Sequence, residues 1–202
     1  MVAMRAFERI CVFCGSSAGA RPEYGEAARR TGETLARRGI TMVYGGGSVG
    51  LMGVAADAAL AAGGRVIGVI PQALRTRELA HRGVTQMIAV ESMHARKQRM
   101  ADLADGFVAL PGGLGTMDEL FEIWTWLQLG IHSRPVGLLN VAGYFDPLLA
   151  FLARMRDERF IRPLHLDTLQ VDNGIEALLE RLERFQAPDG RKWVEDGAPL
   201  EP

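Results

Sequence analysis

Three glycine-rich turns are the parts of this sequence best suited to bind an anion. Each follows a short apolar run and precedes a helical pattern, so each would stand at the carboxyl end of a strand. Glycine lets backbone N–H groups come close to an anion, and the start of the following helix adds a favourable dipole. One such turn could be only a tight connection, but three together favour a ligand that contains phosphate. The turns are Gly15-Ser16-Ser17, Gly45-Gly46-Gly47 leading to Gly50 and Gly53, and Pro111-Gly112-Gly113-Leu114-Gly115-Thr116.

The third turn opens the segment PGGLGTMDE, at residues 111–119, which carries most of the chemical information. It lacks the Lys-Ser/Thr pair of a Walker A loop, so hydrolysis of nucleoside triphosphates is not indicated. The second turn fits the dinucleotide pattern GxGxxG only loosely, which leaves dinucleotide binding open. Thr116 and Glu119 have the spacing of a capping box, which would give Glu119 a structural role. Alternatively, its carboxylate could stabilise an oxocarbenium-like ribose and position a water molecule.

Cationic side chains begin another helical pattern, which starts at Met93 with Ser92 as a candidate N-cap. Arg96 and Arg99 lie three residues apart on one helix face, beside Lys97. By itself this pattern is typical of a solvated basic face. Because it follows a strand, however, its start should lie at the same sheet edge as the glycine turns. There a guanidinium can bind a phosphate or a ribose oxygen.

The first turn also matches GxSxG, the nucleophile elbow of serine hydrolases. The match lies on the first strand, and the only late histidine is His165, with Asp146 before it. A serine hydrolase that uses Ser17 is therefore a minor alternative. We expect Ser16 and Ser17 instead to donate hydroxyl groups to a nucleotide.

Short apolar runs alternate with longer helical patterns along the chain. Continuously apolar runs suit parallel strands that are buried on both faces. Their alternation with helices predicts an α/β fold with a doubly wound, mainly parallel sheet flanked by helices. In such sheets ligands bind beyond the carboxyl ends of the strands, where the glycine turns would lie. Strands are predicted at 10–14, 40–44, 65–70, 86–90, 106–110, 135–141 and 168–171, and helices at 23–38, 51–62, 93–104, 117–130, 144–159 and 174–185.

Size and composition are those of one globular domain, which we place at residues 1–186, with a flexible tail at 187–202. The 23 basic and 24 acidic residues indicate neither a nucleic acid nor an anionic membrane as partner. No apolar run approaches the ~18 residues of a membrane span. The sequence has two cysteines, Cys11 and Cys14, which are too few for a disulfide framework. We therefore expect buried thiols and a cytoplasmic location. No cofactor and no metal are expected, because no His/Asp/Glu cluster has ligand spacing.

The segment from Glu119 to Gly130 has apolar residues all around a predicted helix. A helix without a polar face is buried in a core or in a subunit contact. Since the outer helices of this fold are exposed, the pattern predicts a homodimer that forms through this helix.

The sequence resembles the Lonely Guy family of cytokinin-activating phosphoribohydrolases, whose members are often labelled lysine decarboxylases. The segments that carry the likeness are CVFCGSS, VYGGGSVGLMG, SMHARK, ADGFVALPGG and PGGLGTMDE. The resemblance implies a Rossmann-like homodimer that hydrolyses the N-glycosidic bond of N6-substituted adenosine 5′-monophosphates, and of AMP. The products would be the free base and ribose 5-phosphate.

Carried over residue by residue, the resemblance places the catalytic pair on Arg96 and Glu119. This chain departs from the family pattern at Ala95 and Asp118, where glutamate is common. The expected substrate contacts are Ser16, Ser17, Gly46, Gly47, Glu78, Met93, Lys97, Gly112, Gly113, Gly115, Thr116 and Thr125.

Two further functions are alternatives to hydrolysis of a nucleotide: decarboxylation and nucleotide binding without catalysis. A decarboxylase that uses pyridoxal phosphate needs a Schiff-base lysine, but lysine occurs only as Lys97 and Lys192. Neither has the sequence surroundings of a pyridoxal site. A non-catalytic nucleotide-binding module would share the glycine turns and Arg96, and Glu119 would then be only a helix cap.

Overall fold

A computed structural model describes residues 6–75 and 80–188. Its strands are β1 (Arg9–Phe13), β2 (Thr41–Tyr44), β3 (Val66–Pro71), β4 (Gln86–Val90), β5 (Gly106–Ala109), β6 (Val136–Leu139) and β7 (Leu169–Asp172). They form one sheet in the order β4-β3-β2-β1-β5-β6-β7, and every neighbouring pair is parallel. The predicted fold class is therefore confirmed, and each predicted strand is present.

Helices connect the strands and cover both faces of the sheet. The helices are α1 (Pro22–Arg37), α2 (Gly50–Ala61), α3 (Gln72–Arg75), α4 (Met93–Leu103), α5 (Leu114–Gln128), α6 (Asp146–Asp157), α7 (Pro163–Leu166) and α8 (Ile175–Arg184), with a 3₁₀ turn at Val141–Gly143. The sequence patterns did not predict the short helices α3 and α7. The start of α5 was also placed too late, at residue 117 rather than at Leu114.

The direction in which the chain crosses the sheet reverses beside β1. From β1 the chain moves outward through β2 and β3 to β4, and then returns to β5 on the other side of β1. The connections after β1 and β5 therefore diverge and leave a crevice at the carboxyl ends of these strands. Ligands bind in such a crevice in open parallel sheets. The first and third glycine turns follow the two strands that border it.

Apolar side chains fill both faces of the sheet. Helices α1, α2 and α8 contribute to one core, whereas α4, α5 and α6 contribute to the other. Cys14 belongs to the first core and Cys11 to the second, because residues three apart in a strand point to opposite faces. Both thiols are buried and free. Burial raises the pKa of each thiol, so both stay protonated, as the interpretation of buried thiols requires.

Helices α1 and α2 approach each other closely because α1 carries a glycine at the point of contact. A β-carbon on Gly32 would collide with the backbone oxygen of Ala55 and would lie 2.9 Å from the backbone nitrogen of Ala59. Only a residue without a side chain fits there. This packing holds α2, and with it the turn after β2, against the first core.

Among the described residues, no helix has both the length and the apolar character that a membrane crossing needs. Of the predicted tail at 187–202, the described part includes only residues 187 and 188. The limits of the domain therefore stay a prediction.

Candidate active site

The three glycine turns come together at the carboxyl edge of the sheet. The N–H of Gly15 donates to the carbonyl oxygen of Pro111 at 3.0 Å, and the carbonyl of Gly15 accepts from the N–H of Leu51 at 3.0 Å. A β-carbon on Gly15 would lie 3.3 Å from Cα of Gly112. The first turn is thus packed between the third turn and the start of α2. This arrangement agrees with the expected convergence of the turns.

Arg96 and Glu119 form an ion pair at this edge. Nη2 of Arg96 lies 3.3 Å from Oε1 of Glu119, and their side chains are only 13% and 9% exposed. Nε of Arg96 also donates to the carbonyl oxygen of Val69 at 3.2 Å. A β-carbon on Gly45 would overlap the Arg96 guanidinium, so this glycine leaves room for the cation. The interpretation of Arg96 as part of a solvated basic face is therefore wrong.

The start of α4 places Arg96. Oγ of Ser92 accepts a hydrogen bond from the N–H of Ala95 at 3.1 Å, so Ser92 is the N-cap that the sequence indicated. Arg96 follows in the first turn of the helix and points back toward the end of β3, where Val69 lies. Met93 is 44% exposed, and its sulfur lies 3.9 Å from Nη1 of Arg96.

Glu119 does not cap α5, contrary to the capping-box interpretation. The helix begins at Leu114 with Gly113 as N-cap, and no side chain makes a capping hydrogen bond there. Thr116 and Glu119 therefore lie inside the helix rather than at its boundary. Thr116 is buried against Gly112, where a β-carbon would collide with its hydroxyl. The earlier start moves Glu119 into the second turn of α5 and leaves its carboxylate available to Arg96.

The electrostatic environment of Glu119 is unusual for a carboxylate. Burial raises the pKa of Glu119, and the negative charge of the nearby Asp118 raises it further. The positive charge of Arg96 lowers this pKa, but the net result is a pKa above the usual value. A carboxylate whose pKa is raised accepts a proton more readily than one in water. The arrangement can therefore serve as a general base.

Lys97 bridges α4 to α5. Its Nζ lies 3.0 Å from Oδ2 of Asp118 and 3.1 Å from Oε2 of Glu122. Burial lowers the pKa of Lys97, but the hydrogen bonds to the two carboxylates outweigh that effect, so its pKa is raised. The amine is thus held as an ammonium ion by its own chain. The sequence predicted a substrate contact at Lys97, and in the structure this amine is bound by two carboxylates.

Other predicted contacts lie in different surroundings. Ser16 and Ser17 are exposed in the first turn, and Oγ of Ser17 accepts from the N–H of Gly19 at 3.5 Å. Thr125 is exposed on the outer face of α5, where it lines a cavity of about 360 Å³ together with Met117, Phe121 and Trp126. Glu78 lies outside the described residues.

Two residues that the sequence reasoning missed hold the glycine turns in place. The hydroxyl of Tyr144 donates to the carbonyl of Gly112 at 2.6 Å. The N–H of His81 donates to the carbonyl of Gly46 at 2.9 Å, and Nε2 of His81 lies 2.8 Å from Oδ1 of Asp57. For Tyr144 a signal existed, since it follows the strand run at 135–141 and so stands at the carboxyl edge. His81 has no local pattern that would identify it.

Within residues 6–75 and 80–188, no three His, Cys, Asp or Glu side chains are grouped so that they could hold a metal ion. The charged groups at the candidate site are one buried ion pair and one lysine bridge. The reactive groups that the site offers are therefore those of the Arg96–Glu119 pair.

Comparison with characterised proteins identifies the relatives of this chain. It is 49% identical to a cytokinin riboside 5′-monophosphate phosphoribohydrolase of Arabidopsis thaliana over 180 residues, which are 89% of this chain and 83% of that protein. It is 56% identical to a probable enzyme of the same name from Oryza sativa subsp. japonica over 179 residues, 89% of this chain and 80% of that protein. The chain belongs to this phosphoribohydrolase family. The resemblance stated from the sequence motifs is thereby confirmed.

A family profile described as "Possible lysine decarboxylase" also matches this phosphoribohydrolase-family chain, at residues 52–182. Among solved structures, the molybdenum cofactor carrier protein of Chlamydomonas reinhardtii superposes with a TM-score of 0.67 and 23% identity, covering 88% of this chain and 98% of that one. The molybdenum cofactor binding protein of Rippkaea orientalis gives a TM-score of 0.66 at 23% identity, covering 87% and 95%. At such identities the likeness shows the shared fold alone.

Proposed function

We propose that this chain hydrolyses the N-glycosidic bond of N6-substituted adenosine 5′-monophosphates and of AMP, releasing the free base and ribose 5-phosphate. The observation that carries the proposal is the buried Arg96–Glu119 pair beside three converging glycine turns. A phosphate site next to a raised-pKa carboxylate suits a nucleotide whose ribose is the reacting group. The membership of the chain in the phosphoribohydrolase family supports the same reaction.

Glu119 acts as the base in this proposal. A water molecule attacks C1′ of the ribose and gives a proton to the Glu119 carboxylate, while the electron pair of the broken C1′–N bond leaves with the base. That proton then passes to the departing base, so that the base is released neutral and the carboxylate is restored. The developing oxocarbenium charge on the ribose is stabilised by the nearby negative carboxylate. The raised pKa of Glu119 makes it a better proton acceptor, and its burial excludes competing solvent.

Arg96 favours the ionised form of Glu119 and orients its carboxylate. The guanidinium lowers the pKa of Glu119 against the larger effect of burial. Its own direction is set by the hydrogen bond from Nε to the carbonyl of Val69 and by the space above Gly45. The N–H groups that point to Val69 and Glu119 are thus used within the protein. The remaining N–H groups of the guanidinium are available for a ribose or base atom of the substrate.

The phosphate binds at the start of α5 in this proposal. The first four N–H groups of a helix have no acceptor within it, and the first intrahelical bond here runs from the N–H of Met117 to the carbonyl of Gly113. β-Carbons on Gly113 and Gly115 would meet no heavy atom within 4 Å, and neither glycine has a positive φ. Packing within the chain therefore does not require glycine at either position. The close approach of a phosphate does.

The non-catalytic alternative loses its structural support at Glu119. It required Glu119 to take part in capping α5. The helix begins earlier, however, with Gly113 as its N-cap. The decarboxylase alternative loses support at Lys97, because a Schiff base needs a neutral amine and two carboxylates favour the ammonium form of Lys97. The other lysine, Lys192, lies outside the described residues. The serine hydrolase alternative relied on Asp146, which instead accepts a hydrogen bond from Nδ2 of Asn140 at 2.7 Å.

A homodimer formed through α5 is part of the proposal. Met117, Phe121 and Trp126 are half-buried on the outer face of this helix, and Leu129 and Ile131 just beyond it are 62% and 64% exposed. An exposed apolar patch of this kind marks an interaction surface. Thr125 lies on the same face. If Thr125 contacts a substrate, that substrate is therefore bound in the site of the other protomer.

We further propose a cytoplasmic location, in keeping with two free thiols.

Chromatography of the reaction products tests the function. Purified protein is incubated with AMP and with N6-isopentenyl-AMP, alongside Glu119→Gln. Free base from the wild type and none from the variant, with nucleotide binding retained, is the expected result. If neither nucleotide yields base although both bind, the chain is a nucleotide-binding module and the proposed hydrolysis is wrong.

A further inference from the structure

We infer that Tyr144 is a positioning residue of the phosphate-binding turn and determines how strongly the site prefers a phosphorylated ligand. The inference rests on the proposed function, because it takes the start of α5 as the place of the phosphate. Its direct basis is the hydrogen bond that the Tyr144 hydroxyl donates to the carbonyl oxygen of Gly112 at 2.6 Å. This bond ties the turn after β6 to the turn after β5.

The bond fixes the peptide group that joins Gly112 to Gly113. A trans peptide is planar, and its C=O and N–H point in opposite directions. When Tyr144 draws the carbonyl of Gly112 toward itself, the N–H of Gly113 must point to the opposite side. That N–H belongs to the N-cap of α5 and is one of the donors with no partner inside the helix. Tyr144 therefore orients a donor of the phosphate site without touching the ligand.

This restraint matters because the peptide lies between two glycines. Neither Gly112 nor Gly113 has a side chain that limits rotation of the peptide plane, so an unrestrained loop would sample several orientations. An N–H group that is already oriented binds an anion at a lower entropic cost. The hydroxyl of Tyr144 supplies the order that the glycines lack.

The turn that delivers Tyr144 is strained. Ala142 has φ 50° and ψ 31°, and Gly143 has φ 71°, so two consecutive residues adopt the left-handed conformation. A residue with a β-carbon rarely does so. The surroundings hold this backbone in place: the guanidinium of Arg21 donates to the carbonyl of Ala142 at 3.4 Å, and the N–H of Tyr144 donates to the carbonyl of Val141 at 3.0 Å.

Aromatic contacts fix the direction of the Tyr144 ring. The ring of Phe145 packs edge-on at 4.8 Å between centroids, and the ring of Tyr24 packs edge-on at 5.5 Å. Tyr144 is 40% exposed, yet its ring is held by these two neighbours. Replacing Tyr144 with phenylalanine therefore keeps the ring contacts and removes only the hydroxyl bond. This separation makes the inference testable.

The experiment measures binding of the two products of the proposed reaction, which divide the ligand into a phosphate half and a base half. Calorimetry gives the affinity of wild type, Tyr144→Phe and Tyr24→Phe for ribose 5-phosphate and for N6-isopentenyladenine. We expect Tyr144→Phe to weaken binding of ribose 5-phosphate roughly five- to tenfold, the effect of one net hydrogen bond. Its affinity for the base should match that of the wild type, and its melting temperature should fall by no more than a few degrees. Tyr24→Phe, which loses a hydroxyl one ring away, should bind both products normally.

Three results would overturn the inference: unchanged binding of ribose 5-phosphate by Tyr144→Phe, an equal loss of affinity for the base, or the same loss in Tyr24→Phe. Product chromatography on the same wild-type sample separates this outcome from failure of the proposed function. If the wild type binds ribose 5-phosphate but releases no base, the proposed hydrolysis fails while the comparison of variants still decides the role of Tyr144. If base is released and Tyr144→Phe binds normally, the function stands and the inference is wrong.

Discussion

The Arg96 guanidinium lies 3.3 Å from the Glu119 carboxylate, although the two residues belong to different helices, which follow strands on opposite sides of β1 in the sheet order. Burial and Arg96 act on the carboxylate in opposite directions. Burial has the larger effect and raises the pKa of Glu119, while Arg96 limits the rise. Protonation of Glu119 therefore depends on the presence of Arg96, and this dependence can be measured.

The first prediction concerns the pH dependence of turnover in Arg96→Ala. The base must be ionised to accept a proton, so activity rises as the pH rises through the pKa of Glu119. Without the guanidinium that pKa rises further, and the acidic limb of the pH–kcat profile moves to higher pH. The measurement is base release across pH with Arg96→Lys as the control, in which a charge is retained and a smaller shift is expected. If the acidic limb does not move, Arg96 does not influence the ionisation of Glu119 and the prediction is wrong.

The second prediction concerns the stability of Glu119→Gln. A carboxylate whose folded pKa is raised favours the folded state when it is protonated and loses that contribution as the pH rises through the folded pKa. Glutamine resembles the protonated form, so above this pKa the variant should melt at the same temperature as the wild type or higher. The difference should shrink as the pH falls through the pKa. A helix-capping role predicts instead no pH-dependent difference between the two proteins, because glutamine serves at this position of a capping box as well as glutamate does.

The third prediction compares two glycines of α1. Gly32→Ala places a β-carbon against the backbone of Ala55 and should destabilise the fold by about 1–3 kcal/mol or more, because the helices must move apart. At Gly25 a β-carbon meets nothing within 4 Å. Gly25→Ala should instead stabilise the helix by about 0.5–1 kcal/mol. Urea unfolding of both variants checks the contrast, and equal effects would contradict the close packing of α1 and α2.

The fourth prediction concerns Gly113→Ala at the start of α5. A β-carbon there meets no atom of the described chain within 4 Å, so the melting temperature should fall only by the small loss that alanine causes at an N-cap. Binding of a 5′-phosphate should weaken, because the methyl group stands where the anion approaches. We expect the KM for AMP to rise about tenfold, the equivalent of about 1.4 kcal/mol. Gly25→Ala serves as the matched control, and a KM unchanged in both variants would place the phosphate elsewhere.

The fifth prediction concerns the assembly. Light scattering should give a mass about twice the 22.0 kDa of one chain. Trp126→Glu puts a charge on the apolar outer face of α5 and should yield monomers. Phe160→Glu, at a position that is 83% exposed, should remain dimeric. A wild-type mass near that of one chain would contradict the dimer, and dissociation by Phe160→Glu alone would move the interface away from α5.

The fold class and the convergence of the glycine turns could be predicted from the sequence because both depend on local patterns. A continuously apolar run such as that of β5 places apolar side chains on both faces of the sheet. Both faces must then be covered, as they are in a parallel sheet. The glycine turns follow these runs directly, so the convergence at one sheet edge follows from parallel pairing alone. The family motifs lie in the same short segments.

The tertiary structure decided the role of each charged side chain, because that role depends on partners far away in the chain. Lys97 and Arg96 are neighbours in sequence, yet Lys97 is bound by two carboxylates on the outer part of α5, whereas Arg96 pairs with the buried Glu119. Thr116 and Glu119 have capping-box spacing, but the helix starts earlier at Leu114. Tyr144 reaches Gly112 across 32 positions of the chain. Local spacing cannot encode such contacts, since the order of strands and the backbone conformation between them determine which side chains meet.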